Sequence, residues 1–382
     1  MSTGNDVLTA TDWKHTFHAY GLGTDVPEHL SLLLSADPAD RDRALGHLYS
    51  AVIHQGSVYS ATVPAARFVA GALSDPRLDA GLRPRLLGFL RDAAEAVAGH
   101  LAEPAPPVLP GPERERVYAA IGSEDEDEAI DIWEDEAFDS LMYHDAGVAL
   151  RDAAAELYAA VHPHLTGPDG ATRIRAVEAA GALARLGGRA PDLSGAADTA
   201  ETREEGAVIV LVLGETGGDT AEFLAHADPA IRACAALAPG QRGNPAALTE
   251  LLDAVRDPGE AEAWFADRPA RFQGRDGVRV TLLREAARRC GPDDAERMLP
   301  VFRALAPLTP ASGARADLGP MLEAAFPGGV PAVPSRAQRG YLRALADASP
   351  PWTGARVTGF TALLEGLGLP AERDAVRALA QA

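Results

Sequence analysis

The stretch Asp37-Pro38-Ala39-Asp40-Arg41-Asp42-Arg43-Ala44-Leu45 sets the fold expectation for the chain. Asp37 offers a carboxylate to the unpaired amides of a first helical turn, proline tolerates the first helical position, and Asp40 sits where the helix dipole favours negative charge. A helix is therefore expected to open here and run to residue 54. Leu45, Leu48, Val52 and Ile53 supply its apolar stripe, and Leu30, Leu33 and Leu34 form another stripe just before it.

The same start recurs at Asp75-Pro76, Asp228-Pro229 and Asp257-Pro258, with Gly291-Pro292-Asp293 as a weaker version. Two of the intervals, 38 residues from Asp37 to Asp75 and 29 from Asp228 to Asp257, match a unit of two short antiparallel helices. Such a unit cannot bury its apolar face alone, so stacked neighbours supply the missing core. Further helices are predicted at 64–73, 83–100, 147–161, 173–186, 244–255, 278–290, 295–305, 336–346, 356–367 and 371–380. Glycine and proline fall between them, as short helix–helix turns require. The pattern breaks at 101–112, where prolines including Pro104, Pro107, Pro110 and Pro112 crowd together, and again at 187–207, 307–320 and 327–334.

Composition points the same way. Aromatic residues are only 5% of the chain while alanine, leucine and glycine dominate, which suits short helices packed through small side chains. The main exception is Ala207-Val-Ile-Val-Leu-Val-Leu213, followed by Gly214-Glu215-Thr216-Gly217-Gly218. It imitates a strand leading into a phosphate loop. A P-loop needs Gly-Lys-Ser/Thr, however, and the one lysine of the chain is Lys14; a dinucleotide fingerprint needs glycines at three set positions. The run is expected to be a buried inner helix, with its β-branched content favouring a strand as the alternative.

The Asp37 to Leu45 stretch resembles the inner part of a HEAT or armadillo-type repeat, in which Asp-Pro precedes a helix and is followed by Arg and an Ala-Leu packing pair. Asp228-Pro229-Ala230-Ile231-Arg232-Ala233-Cys234-Ala235-Ala236-Leu237 is similar, and Ala171-Thr172-Arg173-Ile174-Arg175-Ala176-Val177 carries the Arg and Ala without the Asp-Pro. The resemblance covers residues 26–380. It implies an all-α fold, a right-handed α-solenoid of HEAT-like helical hairpins with irregular inter-repeat loops. Three regions are then expected: N-terminal helical repeats with a polar and aromatic patch at 1–103, an acidic helical region at 113–186, and C-terminal helical repeats at 205–382. Repeats of this kind identify a fold family and leave the function open.

The formal charge of -20 is unevenly spread, because residues 121–160 hold thirteen acidic side chains and one basic one. That balance opposes adsorption to nucleic acid or anionic lipid, where clustered positive charge is needed. No stretch reaches 18 apolar residues and the N-terminus lacks a charged-then-apolar leader pattern, so no membrane contact and a cytoplasmic location are expected. Cys234 and Cys290 have no close cysteine neighbour for a redox or metal motif.

Within the acidic region, Glu124-Asp-Glu-Asp-Glu128-Ala-Ile-Asp131-Ile-Trp133-Glu134-Asp-Glu136 is the most unusual feature. Like charges this dense repel unless solvated or bound. Ile130, Trp133, Ala137 and Leu141, with Phe138, recur at helical spacing. Three readings stand: an amphipathic helix with a solvated acidic face, a docking surface for a basic partner, or a divalent-metal site that lacks EF-hand spacing.

A second feature is the N-terminal patch of Trp13, His15, His18 and Tyr20, joined by His47, Tyr49, His54, Gln55 and Tyr59. His47 and His54 share a helical face about 10 Å apart, too far for one metal. His144-Asp145 and His162-Pro163-His164 lack a defined third ligand. Ser57 and Ser60 lie near His54 without the strand-to-helix elbow that exposes a hydrolase serine. Accordingly no catalytic residue, metal ligand or cofactor is assigned.

Arginines form two groups: Arg67, Arg77, Arg83, Arg85 and Arg91, and then Arg268, Arg271, Arg275 and Arg279 beside Trp264 and Phe265. Lining a concave wall, either group would receive a phosphate or an acidic peptide; as surface ion-pair partners they would do neither. In general terms this resembles HEAT-like DNA glycosylases, with Trp264, Asp267 and Arg271 as the matching residue types, though no motif selects them. The expectation is a non-catalytic interaction scaffold or regulator that binds another protein, a basic one suiting its charge, through a concave helical surface and the acidic segment. Its contact residues are Trp13, His47, His54, Tyr59, Glu124, Asp127, Trp133, Glu134, Trp264 and Arg271. The alternative is a HEAT-like DNA glycosylase or other nucleic-acid-processing enzyme.

Overall fold

Helix starts in this protein are clamped from both sides. A computed structural model describes residues 4–98, 101, 109–123, 125–274, 277–290, 294–353 and 358–381. In it, Asp37 accepts the Ala39 amide at 2.9 Å and opens the helix Pro38–His47. One turn on, Arg41 folds back and donates to the carbonyls of Ser35 and Ala36, both at 3.0 Å. Asp228 and Arg232 do the same for Pro229–Ala236: the carboxylate takes the Ala230 amide at 2.9 Å, and the guanidinium reaches the His226 and Ala227 carbonyls at 2.9 and 3.1 Å. At Gly170–Leu186, Asp169 takes the Thr172 amide at 2.8 Å while Arg173 donates to the Gly167 carbonyl at 2.8 Å. Ser335 and Arg339, which donates to the Pro334 carbonyl, repeat the pattern at Arg336–Asp347. The cap satisfies orphan amides of the new helix, and the arginine fork satisfies carbonyls of the incoming loop.

Two expected starts differ. Asp257 caps Gly259 and Glu260 but opens only the short helix Pro258–Glu262. Asp75-Pro76 opens none: Asp75 holds the Arg77 backbone amide and guanidinium, its carbonyl accepts from Leu78, and the next helix, Leu82–Ala98, begins further on. Gly291-Pro292-Asp293 lies outside the described residues. The helix from Asp37 also stops at His47 rather than at residue 54, passing through the wide turn Leu48–Val52 into an extended strand.

The protein is all-α. Among the described residues, the paired strands belong to two minimal hairpins, Phe17–His18 with Gly21–Leu22, and Ile53–His54 with Ser57–Val58. The β-branched run 207–213 is helical, inside Arg203–Glu215, and Ala207 to Val212 are all buried. Gly214 follows because an added Cβ would lie 2.6 Å from the Ala238 Cβ. No described helix is long and apolar enough to cross a membrane.

The chain divides into two compact units, residues 1–201 and 202–382. In the second, some helices pack on their sequence neighbours and others skip past, as Gly277–Arg289 does to reach Gly319–Ala325. Pro229–Ala236 packs on Arg203–Glu215 and Pro245–Ala254, the latter on Gly277–Arg289, and Ala295–Leu305 on Arg336–Asp347. The first unit is less local, since Leu82–Ala98 packs mainly on Gly170–Leu186, with Gly147–Val161 against both. At that contact Glu178 is 6% exposed and accepts from Arg91 at 3.1 Å and Arg175 at 2.9 Å. Removing one member of a buried charge cluster strands the others. Glu178→Ala is therefore expected to destabilise the protein by about 3 kcal/mol in chemical denaturation. Glu156→Ala, which breaks the partly exposed pair with Arg67 at 3.4 Å, should cost less than about 1 kcal/mol.

Candidate functional site

The two hairpins of the first unit organise the region that carries the unusual residues. Gln55 and Gly56 both adopt positive φ, 49° and 83°, the geometry that a two-residue turn between right-twisted strands requires. The hairpins are tied together: the Ala19 amide donates to the Ala51 carbonyl at 3.1 Å, and the Ala61 amide to the Phe17 carbonyl at 3.1 Å. Phe17 and Tyr59 then form a small core with Val117, Ile121, Ile132, Phe138, Leu141 and Met142.

Ile132 and Phe138 come from the acidic segment, which does not form the continuous amphipathic helix its spacing suggests. Glu126–Asp131 continues into the turn Ile132–Glu134 and breaks at Asp135, which is extended and caps Ala137 at 2.7 Å while pairing with Arg116 at 2.9 Å. The break turns Ile132 and Phe138 inward, leaving Ile130 64% and Trp133 38% exposed.

A cavity of about 340 Å³ opens where the second hairpin meets this segment, with His54, Gln55 and Tyr59 on one side and Trp133, Phe138 and Asp139 on the other. Trp133 stands edge-on to Phe138 with ring centres 4.6 Å apart, and exposed Tyr20 lies 5.5 Å from the His54 ring. Asp131, Glu134, Glu136 and Asp139 are exposed and make no ion pair among the described residues. A second cavity of about 370 Å³ shares Gln55 and is lined by Tyr49, Asp92 and Glu95. Its Tyr49 hydroxyl is driven far above the usual range by burial and by Asp92. Both cavities thus combine an aromatic ring with acidic lining, Asp139 in the first and Asp92 with Glu95 in the second.

Beside this region His18, Asp25, His29 and His47 converge. The Tyr20 amide donates to His18 Nδ1 at 3.1 Å, which places the ring proton on Nε2, directed at Asp25 Oδ1 2.9 Å away. His47 Nε2 lies 3.9 Å from Asp25 Oδ2, buried and without a hydrogen-bond partner, and the His29 ring stacks on His47 at 4.0 Å. Burial, then His29, pushes the His47 imidazole down to about 4 against the pull of Asp25. Burial opposes ionisation of Asp25, but the His18 hydrogen bond and the two imidazoles outweigh it and hold the carboxyl below its usual range.

Of the residues singled out from sequence, His54, Tyr59 and Trp133 meet in one cavity. Asp127 and Glu134 are exposed on the acidic segment, and Glu124 lies outside the described residues. His47 belongs to the histidine–aspartate cluster instead. Two tryptophans need correction: Trp13 and Trp264 are each 7% exposed. Trp13 is held by its indole on the Leu8 carbonyl and Trp264 sits in the second unit's core, so neither faces a partner. Around Trp264 the arginines are paired, Arg268 with Glu262, Arg271 with Glu215 at 4.0 Å and Arg279 with Asp317 at 2.9 Å; Arg275 is not described. In the first unit, Arg67, Arg77, Arg85 and Arg91 pair with carboxylates, and Arg83 donates to the Leu73 carbonyl. Asp145 pairs with Arg114, and His162 packs on Tyr158. Asp25, His29, Asp139 and Met142 carry no local signal: their roles arise from chain segments brought together only in the fold.

No family model, curated protein or solved structure matches the chain. The site itself combines an aromatic wall, an apolar floor and one carboxylate, Asp139. Because Trp13 and Trp264 are buried and Trp352 is part-buried, Trp133→Phe is expected to remove the most red-shifted, most acrylamide-quenchable part of the fluorescence. An unchanged quenching profile would mean that Trp133 is shielded.

Proposed function

We propose that the protein is a non-catalytic interaction module that binds a basic segment of a protein partner, seating a cationic side chain in the cavity walled by Trp133, His54 and Tyr59. The observation that carries this is the juxtaposition of a partly exposed indole with the Asp139 carboxylate in a cavity of about 340 Å³, on a segment whose Asp131, Glu134 and Glu136 are also exposed. That volume accommodates one arginine or lysine side chain. A cation on the face of a tryptophan gains about 0.5–2 kcal/mol, more as water is excluded. The acidic segment adds long-range steering, which speeds association and is screened by salt. Exposed Tyr20 and Ile130 extend the apolar contact beyond the cavity.

A HEAT-like, right-handed stacking of helical hairpins would present this surface. Supporting it are the repeated cap-and-arginine clamps at Asp37/Arg41, Asp169/Arg173, Asp228/Arg232 and Ser335/Arg339, together with the packing of some sequence neighbours in the second unit. Recognition by a surface of stacked hairpins needs no catalytic group. The nucleic-acid alternative gains no support, because the described arginines of both groups are already engaged by carboxylates or backbone carbonyls.

The test is a labelled peptide of alternating arginine and leucine, with a glutamate-and-leucine analogue as control, followed by fluorescence anisotropy. Binding of the basic peptide alone is expected, weakening steeply as salt rises through the range where the Debye length falls from about 10 Å to 3 Å. Trp133→Ala, and separately the joint change Asp131→Asn, Glu134→Gln and Asp139→Asn, should each weaken it about tenfold or more. Equal affinity for both peptides, or no effect of either variant, would remove the proposal.

A further inference from the structure

The histidine–aspartate cluster shares no residue with the lining of the recognition cavity and plays no part in it. We propose that His18 Nε2, His47 Nε2 and the Asp25 carboxylate form a binding site for one divalent transition-metal ion of the class that takes imidazole and carboxylate ligands together, zinc being the reference ion.

The geometry carries the proposal. One ligand atom from each of the three residues lies within 4.8 Å of the others. Two contacts are defined: His18 Nε2 to Asp25 Oδ1 at 2.9 Å and His47 Nε2 to Asp25 Oδ2 at 3.9 Å. Around a tetrahedral zinc with bonds of about 2.0–2.1 Å, ligand atoms stand roughly 3.4 Å apart, so donors that lie within 4.8 Å of one another need to close by no more than roughly 1.4 Å to share one ion. The residues come from three separate pieces of backbone: the strand Phe17–His18, the turn Gly23–Asp25, and the last position of the helix Pro38–His47.

A second observation points to a ligand. His47 Nε2 is buried, turned toward Asp25, and has no hydrogen-bond partner. Orphan buried nitrogens are rare because each loses its bond to water without a replacement; a metal ion would supply one. The ring cannot rotate freely, since His29 stacks against it at 4.0 Å and 7°, and His18 meets it edge-on at 5.4 Å. The Asp25 side chain is 47% exposed, which gives an ion a way in and leaves a coordination position for water. His15, by contrast, lies on the surface with Asp12 and Glu115, and its Nδ1 already bonds Asp12.

Binding carries one defined consequence. Metal on His18 Nε2 displaces the proton that now bridges to Asp25, and that proton moves to Nδ1 of the same ring. Nδ1 then no longer accepts from the Tyr20 amide, which must turn away. Tyr20 sits at the tip of a two-residue loop and is 67% exposed, so its amide has water to turn to.

The full chain, freed of metal with a chelator, should take up one Zn²⁺ by calorimetry with a low-micromolar or tighter Kd. Asp25→Asn and His47→Gln should each weaken uptake by more than about a hundredfold, beyond the roughly tenfold to hundredfold loss typical of a supporting residue, while His54→Gln leaves it unchanged. Should those variants fail to fold, the wild-type chain decides: one equivalent of Zn²⁺ should shift the His18 and His47 Nε2 resonances and the Tyr20 amide together in NMR spectra. Absence of saturable one-to-one uptake, full affinity retained in both ligand variants, or zinc bound with those resonances unmoved would overturn the site.

Discussion

A segment as acidic as residues 125–139 cannot fold on itself, because its charges repel and it has few apolar side chains to offer. It is held by two of them, Ile132 and Phe138, and the interruption at Asp135 is what lets both face the same way. Phe138 packs against Phe17 with ring centres 5.2 Å apart, and Phe17 is fixed by the hairpins around residues 17–22 and 53–58. Without this anchor, Trp133 would have no fixed position opposite His54 and Tyr59. The apolar contact thus sets where the charge is displayed.

Elsewhere the same balance is struck with arginine. Short helices leave many orphan amides and carbonyls, and these must be satisfied for the units to pack. The clamps at Arg41, Arg173 and Arg232 satisfy loop carbonyls at the same point where an aspartate satisfies helix amides. Glu178 does comparable service between helices by gathering Arg91 and Arg175. In all these places arginine acts as a structural group engaged inside the protein, which is why a chain with so many arginines presents its acidic side chains as the free ones.

Legibility in the sequence tracks how local each interaction is. The caps at Asp37 and Asp228 depend on residues within one turn and are readable. Asp75 is not: it takes the Arg77 amide as Asp37 takes that of Ala39, yet the next helix begins only at Leu82. The end of the first helix at His47 is hidden by Leu48, Val52 and Ile53, which continue a helical stripe, although Gln55-Gly56 flanked by β-branched residues marks a hairpin turn. The helical state of 207–213 is readable only by rejecting the phosphate-loop motifs, since periodicity cannot separate a fully buried helix from a buried strand. The site is legible in part. Tyr59, His54 and Trp133 stand out by residue type, but their meeting, and that of Asp25 with His18 and His47, depends on packing between distant segments. Trp13 and Trp264 stand out equally and are core residues, because an indole is as useful for filling space as for recognition.

The proposed recognition is centred on Trp133, and the indole N–H resonances of the four tryptophans test that directly. As a basic peptide is added to saturation, the Trp133 resonance should shift progressively while those of Trp13 and Trp264 stay fixed. A Trp133 resonance that does not move while the peptide binds, or a shift centred on either buried indole, would contradict it.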